Sequence, residues 1–289
     1  ETILNIVDKN ANIDAINLAS NIPFMVKDLN KEYLKALSQL AKDGFSLPIN
    51  DTTVYFKNHN TFIKEKNNKI SISAASSGIQ SITPLLLVSH FLSEEVTANI
   101  LDKVQDIDDN RKKQIENNLA KGNASIVEKY KQLCDFGKGI LAKEDAVLLR
   151  KKLKQYIPSS FINIVEEPEQ NLFPTSQQKM INSLLEYNNT VKENKLIIST
   201  HSPYILTSLN NSIFAEKVFE KTGKEIESYG KNKRVAYADV SAFKFEDGKI
   251  INIKDEETRL IDADAIDSCS TKINSDFDAL LDLLPENDD

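Results

Sequence analysis

Tryptophan is absent from this chain, cysteine appears only twice, and no stretch stays apolar for the roughly 18 residues that a membrane span needs. The longest apolar stretch, around Pro84 to Leu92, is interrupted by Ser89 and His90. No membrane partner is therefore expected. Cys134 and Cys269 lie far apart and form no CxxC pair, which excludes a disulfide framework and a cysteine zinc site and points to a reducing, cytoplasmic setting. No apolar signal segment follows Glu1, and because that residue is not Met, a segment upstream of it is expected. Positive charge is also in deficit. Thirty-six Lys and Arg against 43 Asp and Glu give a net charge of −7, which argues against charge-driven nucleic-acid binding by the chain as a whole but leaves room for a local basic surface.

What is present is the composition of a folded protein. Hydrophobic residues make up 40% and charged residues 27% of 289, enough for a sizeable core. Helical spacing marks Asp14 to Leu40. Strands are expected at Thr53–Lys57, Thr61–Glu65 and Lys69–Ser73, separated by Asn-rich turns. A small polar loop, Ala74–Ser81, then leads to a helix expected to begin at Pro84. Ser93 to Tyr156 is highly charged, lacks strand signals and reads as two or three helices, broken near Gly122-Asn123 and near Gly137 and Gly139. Beyond it come a short strand at Phe161–Val165, a helix at Thr175–Tyr187 capped by Thr175 or Ser176, and a strand at Lys195–Ser199. A short helix at Pro203–Leu209 and a strand near Ala215–Glu220 follow. A hairpin of Ser241–Phe245 and Lys249–Ile253 turns at Asp247-Gly248, and a helix spans about Lys272–Leu284. Three regions result: 1–92, a helical insertion at 93–159, and 160–289.

Three segments carry chemistry. Phe161-Ile162-Asn163-Ile164-Val165-Glu166-Glu167-Pro168 is an apolar strand that delivers two adjacent carboxylates to its C-terminal end, the edge at which ligands bind open α/β sheets. Adjacent acids there suit a hydrated Mg²⁺ and an attacking water. Taken alone, they more simply read as an acidic turn after a core strand. Leu196-Ile197-Ile198-Ser199-Thr200-His201-Ser202-Pro203 repeats the pattern with a histidine, which can donate to a phosphate oxygen or simply cap the next helix. Ala75-Ser76-Ser77-Gly78-Ile79-Gln80-Ser81 precedes a helix, where small residues expose amides to an anion or form an ordinary serine-rich cap.

Taken together and in this order, the three segments resemble the ABC-type ATPases. The closest resemblance is to the prokaryotic AAA-type ATP-binding proteins related to the overcoming-lysogenization-defect ATPases, whose SSGxQS, EEPExxLxP and THSPYxL patterns all occur between about Lys69 and Val218. The resemblance implies an α/β fold: the C-terminal part of an ABC-ATPase-like P-loop NTPase head, with the helical insertion and a C-terminal β-hairpin plus helix. It implies ATP and Mg²⁺ as cofactors. Glu167 would be the catalytic carboxylate, His201 the γ-phosphate sensor and Glu166 the metal-side carboxylate. Ser76, Ser77, Gly78 and Gln80 would form a signature loop that closes on ATP held by a partner head or a second copy. Pro168–Pro174 resembles the D-loop region. A role in bacterial anti-phage or toxin–antitoxin defence is implied by association alone.

The sequence departs from that pattern at several points. Ile79 stands where the signature's second glycine is usual, and Glu166 where the metal-side acid is usually Asp. No GxxxxGK[ST] loop occurs: Gly137-Lys138 runs into Gly139 and Gly223-Lys224 into Glu225, each without the upstream glycine. A P-loop supplied upstream or by another chain is therefore expected, with little turnover from this chain alone. The long insertion argues against a transporter head. Its Arg150-Lys151-Lys152-Leu153-Lys154 run is either a nucleic-acid contact or a solvated helix face. Two other functions compete: a non-catalytic dimerisation module, suggested by the missing P-loop, and an ATP-regulated nuclease, suggested by the metal-binding potential of Asp262-Ala263-Asp264.

Overall fold

The structure, a computed structural model, describes residues 24–262 apart from 67, 99 and 123, together with residues 275 and 280. It is a mixed α/β protein whose chain divides into two compact units: residues 1–89, 164–189 and 196–289 form the first, residues 90–163 and 190–195 the second.

The first unit begins with helix α1 (Phe24–Leu40), which buries Tyr33, Ala36 and Leu37, spaced three and four apart as one helix face requires. Strands β1 (Phe45–Ser46), β2 (Thr52–Lys57), β3 (Asn60–Glu65) and β4 (Asn68–Ser71) form an antiparallel sheet in chain order. Val54 pairs with Ile63 on the inner face, and both are buried. The alternation read from the sequence therefore places β2, β3 and β4 to within two residues, while β1 was not foreseen.

Helix α2 (Ser77–Thr97) starts well before the expected Pro84, which lies inside it. Proline in a helix interior costs about 3 kcal/mol. Around it Ile82, Leu86 and Leu87 are almost wholly buried, and each is worth about 1.5–3 kcal/mol. Packing outweighs the lost hydrogen bond, so Gly78 to Ser81 are helical rather than loop.

The second unit holds α3 (Ile100–Asp106), α4 (Asp109–Ala120), α5 (Ala124–Phe136) and α6 (Lys143–Leu153), more helices than the sequence suggested. The unforeseen break falls at Asp108, whose carboxylate accepts the Arg111 N–H at 2.9 Å and so caps α4. Leu101, Val104, Ile115, Leu119, Leu133 and Leu149 form its core.

Strands β5 (Ile162–Glu166) and β6 (Lys195–Ser199) form a two-stranded sheet. The Lys195 N–H bonds the Phe161 carbonyl at 3.0 Å and the Glu167 N–H bonds the Ser199 carbonyl at 2.8 Å, so the strands run parallel. These bonds set Ile164 beside Ile197. Helix α7 (Pro174–Asn188) is preceded by Phe173 and starts with Pro174, with no side-chain cap from the expected Thr175 or Ser176.

Helix α8 (Pro203–Thr222) absorbs both the expected short helix and the expected strand at 215–220. Ile213 packs with Leu206 and Ile261, Arg234 reaches Glu216 at 2.8 Å, and Gly223 ends the helix at φ 66°. The hairpin β7 (Phe243–Glu246) and β8 (Lys249–Asn252) turns at Asp247 and Gly248, both at positive φ as a type I′ turn requires. A small antiparallel pair, β9 (Lys254–Asp255) and β10 (Leu260–Ile261), follows. Of the expected helix at 272–284 only Ser275 and Leu280 are described, both helical, and the start of the expected helix at 14–40 lies outside the described residues.

Candidate functional site

The loop 75–81 and the polar ends of the other two segments, Glu166-Glu167-Pro168 and Thr200-His201-Ser202, lie in the first unit, and the two strand ends meet there. Parallel pairing brings the C-terminal ends of β5 and β6 side by side, so Glu166 and Glu167 follow one strand and Thr200 and His201 the other. His201 Nε2 stands 3.5 Å from Glu167 Oε1. The imidazole is 86% exposed and the carboxylate 43%, so this pair adds little to stability and both groups can be reached from solvent.

The backbone at Glu167 is unusual. Its φ is 44°, in the left-handed region, which costs a side-chain-bearing residue roughly 1–2 kcal/mol. The surrounding bonds hold it there. Its N–H donates to the Ser199 carbonyl at 2.8 Å, its own carbonyl accepts from the Gln170 N–H at 3.1 Å, and Gln170 Nε2 donates to Glu167 Oε2 at 2.5 Å. Strain of this kind concentrates at functional sites. The turn swings Glu167 away from the alternation of β5, while Glu166 stays in the strand and is exposed.

Two contributors were not foreseen. Glu169 Oε1 accepts from the Thr200 hydroxyl and from the His201 N–H, each at 2.8 Å. Its other oxygen, Oε2, is buried with no hydrogen-bond partner among the described residues. Gln177 Oε1 accepts from the buried Ser202 hydroxyl at 2.6 Å, and Gln177 Nε2 donates to the Leu172 carbonyl at 3.0 Å. The available signal was a glutamate directly after Glu167-Pro168, in the EEPE run.

The loop before α2 sits against this region. A Cβ on Gly78 would lie 2.6 Å from the Asn171 carbonyl oxygen and 3.2 Å from Leu172, so only glycine allows the approach. Gly78 is buried. The Ser76 hydroxyl accepts the Ile79 N–H at 3.5 Å, and Gln80 Nε2 donates to the Ala75 carbonyl at 2.8 Å and the Ser73 carbonyl at 3.2 Å. Ser76 and Gln80 thus brace the helix start. Ser76 and Ser77 are both exposed.

For a divalent cation, Glu166 and Glu167 supply carboxylates, but no group of three or more His, Cys, Asp or Glu side chains converges among the described residues. That donor set falls short of an all-protein cage. It fits Mg²⁺ carried with a nucleotide, which keeps waters and phosphate oxygens and takes one or two carboxylates from protein.

No family model matches the chain, and no curated protein matches it. No helix among the described residues is long and apolar enough to cross a membrane.

Proposed function

We propose that this chain is the C-terminal part of an ABC-type, P-loop NTPase head that binds and hydrolyses ATP with Mg²⁺ and pairs with a second head around the nucleotide. The supporting observation is the Glu167–His201 pair, held at 3.5 Å at the ends of two parallel strands with Glu167 in a strained turn. In this reading Glu167 orients the water that attacks the γ-phosphorus and accepts its proton. His201 donates to a γ-phosphate oxygen, so its loop registers whether that phosphate is present. Glu166 would help hold the metal, which when bound would supply charge neutralisation for the phosphates. Ser77 and the amides at the start of α2 form the surface offered to the nucleotide of the partner head.

A P-loop is still required, and the β5–β6 pair gives a physical reason to expect an added segment. Parallel sheets are normally covered on both faces. Here Ile162, Ile164 and Ile197 are 61%, 68% and 52% exposed. Further strands or a helix from an upstream segment or another chain would cover them and bring the P-loop to the same edge. A cytoplasmic setting and a role in bacterial defence belong to this reading.

The test is ATP turnover in the protein with its P-loop segment present. Glu167→Gln is expected to abolish turnover while leaving ATP binding in place, and His201→Ala to lower turnover strongly. Unchanged turnover in Glu167→Gln refutes the assignment. A non-catalytic dimerisation module is the second reading, favoured by the use of Ser76 and Gln80 as braces. It predicts pairing of heads without turnover. For the nuclease reading, Asp262 is described, its N–H bonding the Ile253 carbonyl beside β9, while Asp264 lies outside the described residues.

A further inference from the structure

The outer face of the antiparallel sheet has a composition at odds with the rest of the chain. Pairing sets Tyr55 opposite Phe62, Thr53 opposite Lys64, and Lys64 opposite Lys69. Strand alternation puts these residues, with Lys57, on the face opposite the buried Val54 and Ile63. Glu65 belongs to the inner face, and no acid stands among the outer-face positions of β2, β3 and β4. Three lysines without an acid are a local reversal in a chain of net charge −7.

Two details point to a ligand rather than to sheet stability. Lys64 and Lys69 are directly opposite on neighbouring strands, an arrangement that destabilises a sheet unless an anion sits between the charges. Both are exposed, and neither makes an ion pair among the described residues. The second detail is aromatic. Tyr55 and Phe62 stack with centroids 5.5 Å apart at 11°, and Lys69 Nζ lies over the Phe62 ring, 3.5 Å from its centroid. An exposed lysine is a removable cover. A base can take its place on the ring while the ammonium moves onto a phosphate.

We propose that this face binds single-stranded nucleic acid, with Phe62 as the stacking platform and Lys57, Lys64 and Lys69 as the phosphate contacts. Positive charge tracking a backbone beside half-exposed rings is the chemistry of such sites. Rows of side chains two residues apart are about 6.8 Å from one another, so the three rows from Lys57 to Lys64 span about 14 Å and match a short stretch on the order of three nucleotides. A duplex hides its base faces and cannot use Phe62. The inference is independent of the ATP reading, because the face needs no nucleotide.

The experiment is fluorescence anisotropy of a short labelled oligothymidine with the full chain, without ATP, across a salt series. Three phosphate contacts predict a log K against log salt slope of about −2. Replacing Lys57, Lys64 and Lys69 together by Gln should flatten that slope and weaken binding. Phe62→Leu should weaken binding about tenfold and leave the slope unchanged. The lysine variant alters exposed side chains only, so it remains informative if Phe62→Leu fails to fold. Absence of saturable binding at low salt, a slope unchanged in the triple variant, or equal competition by blunt duplex or by polyglutamate would each overturn the assignment.

Discussion

Glu169 holds the segment that carries His201: one carboxylate oxygen accepts both the His201 N–H and the Thr200 hydroxyl, each at 2.8 Å. The ends of β5 and β6 are thus tied by a side chain as well as by the Glu167–Ser199 backbone bond. The imidazole itself, 86% exposed, gains little from its surroundings. Its position is set through its backbone.

Hydrogen bonds to a charged group contribute about 1.5–3 kcal/mol each, less where solvent competes. Glu169→Ala is therefore expected to lower unfolding free energy by about 2 kcal/mol and to speed exchange of the His201 amide. Hydrogen exchange read residue by residue checks this. An amide as protected in the variant as in the parent would show that the carboxylate does not hold the loop.

Gly78 and Ser77 are adjacent but should respond differently. An alanine at 78 drives its Cβ into the Asn171 carbonyl, a backbone atom that cannot swing away. Overpacking of this kind costs about 1–3 kcal/mol. Ser77 is exposed, so Ser77→Ala should change stability by less than about 0.5 kcal/mol. Denaturant melts of both variants decide it, and equal midpoints would contradict the close approach.

The strained turn at Glu167 predicts a gain of stability with a loss of function. Glycine adopts φ 44° without the Cβ penalty, so Glu167→Gly should raise stability by about 0.5–1 kcal/mol after the loss of the exposed Gln170 and His201 contacts. Turnover in the protein carrying its P-loop should be abolished. A thermal midpoint below the parent's would mean that those contacts outweigh the strain.

Acid should act at Asp255. The Thr258 hydroxyl, then the Glu257 and Thr258 N–H groups, hold its carboxyl below the usual carboxylate range. A carboxyl depressed in the folded state contributes stability above its unfolded pKa, and that contribution disappears as pH falls through the folded value. Thr258→Val should raise the Asp255 pKa. Its destabilisation should be present at neutral pH and shrink in acid. NMR titration of the Asp255 carboxyl, with melts at both pH values, checks the sign.

Features with a short-range cause could be read along the chain. Apolar runs bounded by polar residues placed β5 and β6 and so located Glu166, Glu167 and His201 at strand ends. Two positive-φ residues at Asp247 and Gly248 marked the hairpin turn. Features whose cause is a partner distant in sequence could not. The segment 215–220 has the residue types of a strand. It is helical because Ile213 packs on Ile261 and Arg234 holds Glu216 from outside the segment. Pro84 reads as a helix start, and only the burial of Ile82, Leu86 and Leu87 shows why the helix tolerates it in its interior. The same division holds at the candidate site. By itself the sequence determined which acids and which histidine end the two strands, because alternation and polarity are local properties. Only the tertiary structure decided that Glu167 turns left-handed towards His201, that Glu169 fastens the histidine's loop, and that Gly78 lies against Asn171, because each depends on backbone brought together from separate parts of the chain.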